Sequence, residues 1–270
     1  MTPLPRPSCL SPAPAEPVSA RRMRIEMGTW VVIEAHGAAA ESVQRGIEAA
    51  FAAVAEVARC MHPEHPDSDV ARISAAPPGT TVPVRPDTLK LLRFAQRLHC
   101  LSAGGFDPCL PGAPGRLGDL RLLPGSPPAV SPGAAMQLDL GGIAKGFAVD
   151  CAVAALQAAG CSGGIVNAGG DLRVFGAAAE TILAKRADGS YRAVTLKEAA
   201  LAVSDRDAPH APSGHRGYYR RAGRSAGAAR YAAVRAADAM TADALTKCVL
   251  VCPAPLSASL LRQLGAENLS

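Results

Sequence analysis

The sequence predicts a globular domain that combines helices and strands, on three observations. Hydrophobic residues make up 49% of the chain and charged residues 19%, a balance that favours a packed core over disorder. Val43, Ile47, Phe51, Val54 and Ala58 recur at three- and four-residue spacing, as one face of a helix requires. From Leu138 to Val174 the pattern reads as a short strand, a glycine turn, a helix, and a second strand that breaks at another glycine pair. At 270 residues the chain can bury a sizeable core as one large domain or two intimate ones.

Residues 1–18 are rich in proline and have neither a basic leader nor an apolar run, so they read as neither a secretory signal nor a membrane span. Residues 1–22 are therefore expected to be disordered, residues 23–270 to fold, and the protein to be cytoplasmic. Residues 30–33 read as a strand. The loop from His62 to Asp69 collects His, Glu and Asp, but Pro63 and Pro66 prevent the helical histidine face a zinc site would use. Asp87 is placed to cap a helix running to Ser102, with Leu91, Ala95 and Leu98 inward and Gly104 beyond its end. Residues 111–132 are dense in Pro and Gly and read as a surface connection. Residues 185–202 read as β with a turn at Asp188-Gly189. Thr241 is expected to cap a helix carrying Asp243, Leu245, Val249 and Val251, ended by Pro253; residues 257–264 form a last short helix closed by Gly265. The eight cysteines form no CxxC pair, and Cys248 and Cys252, one helical turn apart, suggest a buried face of reduced thiols.

The chemistry concentrates between Asp139 and Asp171. Asp139 ends the first strand, and Gly141-Gly142 let the backbone approach a ligand closely. Val149, Val153 and Leu156 carry the helix on to Gly160. Lys145 sits at its entry, where free backbone N–H groups already favour an anion. A carboxylate, a lysine and bare amides around one helix entry suit a phosphate with its metal. The competing reading is a βαβ-like unit whose glycines only permit tight packing and whose Lys145 faces water. No Walker A motif is present. Net charge is +5, too small to demand a nucleic-acid partner. Arg216, Arg220, Arg221, Arg224, Arg230 and Arg235 interleave with Tyr218, Tyr219 and Tyr231, a mixture that suits single-stranded nucleic acid, a surface loop or an acidic partner; no RNA-binding motif accompanies it.

Together with Met27-Gly28-Thr29, Gly105-Phe106-Asp107-Pro108 and Thr241-Ala242-Asp243-Ala244-Leu245, this stretch resembles the ApbE family of FAD:protein FMN transferases, with the motifs in the family's order. The resemblance implies an α+β fold with a mixed sheet and flanking helices, FAD as substrate, Mg²⁺ as metal, and a partner protein whose Thr or Ser hydroxyl accepts FMN as AMP leaves. It implies that Met27 packs on the flavin, that Gly105, Phe106 and Asp107 form a flavin-contacting turn, that Asp139 orients the flavin side, and that Lys145 lies at the pyrophosphate. It implies metal ligation by the Gly142 backbone carbonyl and Asp243. His215 is the positional match to a family histidine and the candidate general base, with His210 in reserve. Three departures stand out. No aromatic lies near Glu64, where the family stacks one on the flavin; Val203-Ser204-Asp205 stands where the family has Thr-Ser-Gly; and the family's Thr four residues after the aspartate is Lys247 here. An ammonium has three donors and no lone pair, so Thr246 turns in as ligand, or Lys247 supplies part of the metal's charge, or the activity is weakened or lost.

Overall fold

The computed structural model describes residues 18–207 and 229–270. Its frame is a seven-stranded sheet in the order β1-β2-β6-β7-β10-β11-β12. These are Val18–Glu26, Thr29–Gly37, Gly163–Ala168, Asp171–Gly176, Ala199–Asp205, Tyr231–Ala236 and Glu267–Asn268. Every pairing among them is antiparallel. Helices α1 (Ala40–Met61), α4 (Ala144–Ala158) and α5 (Ala239–Val251) lie side by side across one face. On the other face Leu172, Val174 and Leu201 meet Val194 and Leu196 in a small second core beneath the hairpin β8 (Glu180–Lys185) and β9 (Tyr191–Leu196). The α+β expectation holds.

Side-chain alternation decides where the chemistry goes. On β7, Leu172 and Val174 face the small core, which turns Asp171, Arg173 and Phe175 toward the helices. On α1 the predicted stripe is buried at Val43, Ile47, Phe51 and Val54. Its burial supplies roughly 1.5–3 kcal/mol per large side chain before entropy is counted.

Several elements differ from the sequence reading. The first strand begins at Val18, so residues 18–22 lie in β1, paired from Val18↔Gly37 to Arg22↔Ile33, rather than in the segment expected to be disordered. Helix α3 (Pro86–Leu101) starts two residues early, with Arg85 rather than Asp87 at its cap, because Pro86 fixes the first helical φ. Asp69 at the start of α2 (Asp69–Ala75) secures that entry by accepting from Arg85 N at 2.8 Å and Thr88 Oγ1 at 2.6 Å. Asp238, not Thr241, caps α5, accepting from Thr241 N at 2.8 Å. The surface connection contains a hairpin, β4 (Leu120–Leu123) with β5 (Ala129–Pro132), which β3 (Val82–Pro83) completes as a three-stranded sheet. Leu138 joins no strand, only a bridge to Cys109. The last helix, α6, spans Ala254–Gln263. Among the described residues no helix is long and apolar enough to cross a membrane.

Candidate functional site

One end of the large sheet gathers the predicted motifs. The β1–β2 turn is Met27-Gly28, with φ of 51° and 69°. Two positive φ values suit a tight hairpin that follows the strand twist, but a methionine there is strained. Beside it lies the β6–β7 turn, where Gly169 N donates to Trp30 O at 3.1 Å and Gly170 N to Asn167 Oδ1 at 2.9 Å. Asp171 opens β7 at this end. Because β10 runs antiparallel to β7 with Leu201 opposite Leu172, Ser204 arrives at the same end.

Above it α4 and α5 cross closely. Gly146 permits the approach, since its N–H donates to Asp243 Oδ2 at 3.1 Å, and an added Cβ would lie 2.2 Å from Ala239 O. Asp150, one turn on, accepts from Ala239 N at 3.0 Å and Met240 N at 2.9 Å, and pairs with Arg173 Nη1 at 2.8 Å. It thus satisfies free N–H groups at the start of α5.

Lys145 pairs with Asp171, and Lys247 with Asp243. Both carboxylates are buried. Burial pushes the Asp171 carboxyl up, and the Asp243 charge pushes it further; the two lysines offset this only in part. Burial also acts to raise Asp243, but the Lys247 and Lys145 charges and hydrogen bonds from Lys247 and Gly146 N outweigh it and hold the group below the usual carboxylate range. Asp243 is thus the better-stabilised anion. Asp171 Oδ1 is buried without a hydrogen-bond partner.

The oxygens expected to surround a metal are otherwise engaged. Thr246 Oγ1 donates to Asp243 O at 2.6 Å and bonds Ser204 Oγ at 2.7 Å. Lys247 Nζ donates to Asp243 Oδ1, to Ser204 Oγ at 2.8 Å and to Thr246 Oγ1 at 3.1 Å. Its methylene stem packs beside Gly142, where an added Cβ would sit 3.4 Å from Cγ and Cε. Among the described residues no three His, Cys, Asp or Glu side chains gather to hold one ion.

Two clefts flank the turn at residues 139–142. A narrow one is lined by Gly105, Phe106, Asp107, Gly142, Ile143 and Lys247. Asp107 holds its wall by accepting from Cys109 N at 3.0 Å and Leu117 N at 3.3 Å. Phe106 is buried, and its carbonyl meets His99 Nδ1 at 2.9 Å. The wider cleft, about 540 Å³, is lined by Pro63, Glu64, Ser74, Met136, Leu138 and Asp139. Asp139 Oδ1 accepts from Gly141 N at 2.9 Å and so shapes the turn between the clefts.

The structure therefore brings Asp139, Gly142, Lys145 and Asp243 to one region, with Gly105–Asp107 forming a wall. Lys145, weighed as a solvent-facing side chain, is ion-paired instead. His215 and His210 lie outside the described residues, as do Arg216, Arg220, Arg221, Arg224, Tyr218 and Tyr219. Arg230 pairs with Asp207, Arg235 lies 3.8 Å from Glu267, and the Tyr231 hydroxyl donates to Lys185 O. Sequence reasoning missed Asp171 and Ser204 as partners of the cluster. The Val203-Ser204-Asp205 departure was a signal for the second; the glycine turn that ends at Asp171 marked the first, without indicating its partner.

Fold and site together define an α+β protein with a buried cluster of alternating charge at one end of an antiparallel sheet and a cleft on each side of the 139–142 turn. The ApbE family profile matches residues 27–114 and 116–269, and the chain belongs to that family. A curated FAD:protein FMN transferase of Rhodobacter capsulatus is 32% identical over 174 residues, covering 55% of this chain and 33% of its own length; the chain thus matches about a third of that relative. The fold is that of the flavinyl transferase ApbE of Pseudomonas stutzeri (TM-score 0.73, 20% identity, 93% of this chain and 90% of that one). It is likewise that of the flavin transferase ApbE of Vibrio cholerae (TM-score 0.71, 19% identity, 93% of each chain).

Proposed function

We propose that this chain transfers FMN from FAD to a Thr or Ser hydroxyl of an acceptor protein. The observation that carries the reading is the convergence of four separated motifs around the Lys145, Asp171, Asp243 and Lys247 cluster, with a cleft on each side of the 139–142 turn. Membership of the ApbE family and the name of the Rhodobacter relative support it. The pyrophosphate of FAD lies at the α4 entry, where Lys145 and Lys247 oppose its charge; the N–H groups of Ile143, Ala144 and Gly146 are engaged within the protein. The flavin end lies toward Asp139 and the turn at Gly105, Phe106 and Asp107, with Met27 closing over it.

In the reaction the acceptor hydroxyl oxygen bonds to the FMN-side phosphorus as the bond from that phosphorus to the bridging oxygen breaks. AMP departs with that oxygen. The hydroxyl proton passes to a base, for which His215 is the candidate. The lysine ammonium groups stabilise charge on the phosphoryl oxygens as the bonds exchange, and burial strengthens that effect. A family metal would add charge neutralisation here, but the residues present do not suit it. Both Asp243 oxygens and the Thr246 hydroxyl are committed within the protein. No step is therefore assigned to Mg²⁺.

That commitment also favours a second reading, a protein that binds FAD without turning it over. A third outcome is hydrolysis, with water in place of the acceptor. Incubation with FAD and a candidate acceptor separates them: FMN-labelled acceptor means transfer, free FMN with AMP means hydrolysis, and intact bound FAD means binding alone. Either of the last two results refutes the transferase reading.

A further inference from the structure

We infer that the Lys247 ammonium is a built-in cation that occupies the place of a divalent metal, so that this site binds FAD without Mg²⁺. The inference rests on the reading that the site takes FAD. Three oxygens converge on one point: Asp243 Oδ1, Ser204 Oγ at 2.8 Å and Thr246 Oγ1 at 3.1 Å from Nζ. That is an oxygen cradle of the kind a hard cation seeks, and the ammonium fills it with its three donors.

The arrangement is reached from three elements. Asp243, Thr246 and Lys247 come from α5, Ser204 from β10, and Gly142 lies along the lysine stem. The i, i+4 spacing of Asp243 and Lys247 sets both on one face of the helix. The hydroxyl geometry is self-consistent. Thr246 donates to the Asp243 carbonyl, so its remaining lone pairs face Ser204 and Lys247. Asp243 Oδ2 already accepts from Gly146 N, so both oxygens of that carboxylate are engaged within the protein.

Charge argues the same way. Lys145 and Lys247 balance Asp171 and Asp243, and a divalent ion beside the ammonium would meet a like charge a few ångströms off. Lys247 is nevertheless not sealed in, because it lines the narrow cleft with Gly105, Phe106, Asp107, Gly142 and Ile143. Its stem thus borders that cleft, while its ammonium, held by the cradle, acts on bound FAD as a fixed charge. A lysine there is a point charge suited to phosphate oxygens.

The test uses the full chain, wild type and Lys247→Thr, with Lys247→Gln as a near-isosteric second variant in case the first fails to fold. FAD affinity is measured by flavin fluorescence in EDTA and in excess Mg²⁺. Separately, Mn²⁺ binding without flavin is read by electron paramagnetic resonance, since Mn²⁺ takes the same oxygen donors. Wild type should bind FAD with the same Kd in both buffers, within about twofold. The neutral variant should bind about tenfold or more weakly in EDTA, and Lys247→Thr should recover in Mg²⁺. Wild type should bind no Mn²⁺ at this site, whereas Lys247→Thr should bind it. Tighter wild-type FAD binding in Mg²⁺, or Mn²⁺ bound by wild type and lost in Asp243→Asn, overturns the inference. Absence of FAD binding by every protein overturns the flavin reading instead, and the Mn²⁺ measurement still decides the role of Lys247.

Discussion

Gly146→Ala sets two ordinary expectations against each other. Alanine is favoured over glycine inside a helix by at most about 1 kcal/mol, so a local view predicts a gain. The packing predicts a loss. The new Cβ would sit 2.2 Å from Ala239 O, 2.7 Å from Ala239 C and 2.8 Å from Asp243 Cβ. Carbon–oxygen contacts need about 3.3–3.6 Å, so α4 and α5 must part by roughly 1 Å. Two of the obstructing atoms are backbone, so no rotamer change relieves them. Overpacking of this kind costs about 1–3 kcal/mol, and losing the Gly146 N–H to Asp243 bond adds about 1.5 kcal/mol. The net expectation is a loss of about 2–3 kcal/mol. Urea unfolding followed by circular dichroism measures it, with Gly142→Ala as the control. There the added Cβ meets only the flexible Lys247 stem, at 3.4 Å, and stability should change by less than about 1 kcal/mol. A Gly146→Ala protein as stable as wild type would refute the close-crossing argument.

Asp150→Ala should cost about 3 kcal/mol, because it removes two N-terminal acceptors of α5 and leaves Arg173 unpaired among buried groups; Asp150→Asn should cost clearly less, and equal losses in urea titrations would refute the charge contribution. Lys145→Met should destabilise by about 3 kcal/mol at neutral pH. The loss should shrink as pH falls: Asp171 is already raised in the folded state, so its contribution is present in acid and lost as pH rises through that value; a loss independent of pH would contradict this. In reductant, stability should decline as pH rises above 9, because burial raises the Cys60 thiol from 9.0 to about 11, raises Cys109, Cys151 and Cys161 likewise, and the unfolded chain releases protons that the folded chain keeps; Cys60→Ala should make the decline between pH 9 and 11 shallower without abolishing it, and an unchanged slope would contradict this. FAD should bind more tightly than FMN, since charged groups on both α4 and α5 meet the pyrophosphate; equal fluorescence titrations would count against the placement.

What the sequence made legible follows how local each signal is. The α1 stripe repeats over about four turns, and the glycine pair before Lys145 punctuates a single helix entry, so both could be read directly. The β4–β5 hairpin could not, because Pro124, Pro127, Pro128 and Pro132 give the segment the composition of a loop. The caps were misplaced for a similar reason: Asp87 and Thr241 are good capping types, but Pro86 and Asp238 lie closer to the actual starts. At the site, Lys145 and Asp243 stood out from nearby motifs. The Lys145–Asp171 pairing spans 26 residues, and only the alternation that turns Asp171 toward α4 creates it. Ser204 reaches Lys247 across 43 residues, again through sheet register rather than any local pattern.

The two ion pairs under the α4–α5 crossing also constrain how this sequence can drift. With two positive and two negative side chains, the cluster is electrically neutral, and any one-residue change of charge strands its counterpart in the interior. Positions 145 and 171, and likewise 243 and 247, should therefore be inherited as linked couples. Lys247→Thr would change the ion inventory of the whole cluster in one substitution, and a sequence that keeps lysine at 247 should also keep Ser204 and Thr246, the hydroxyls that hold its ammonium.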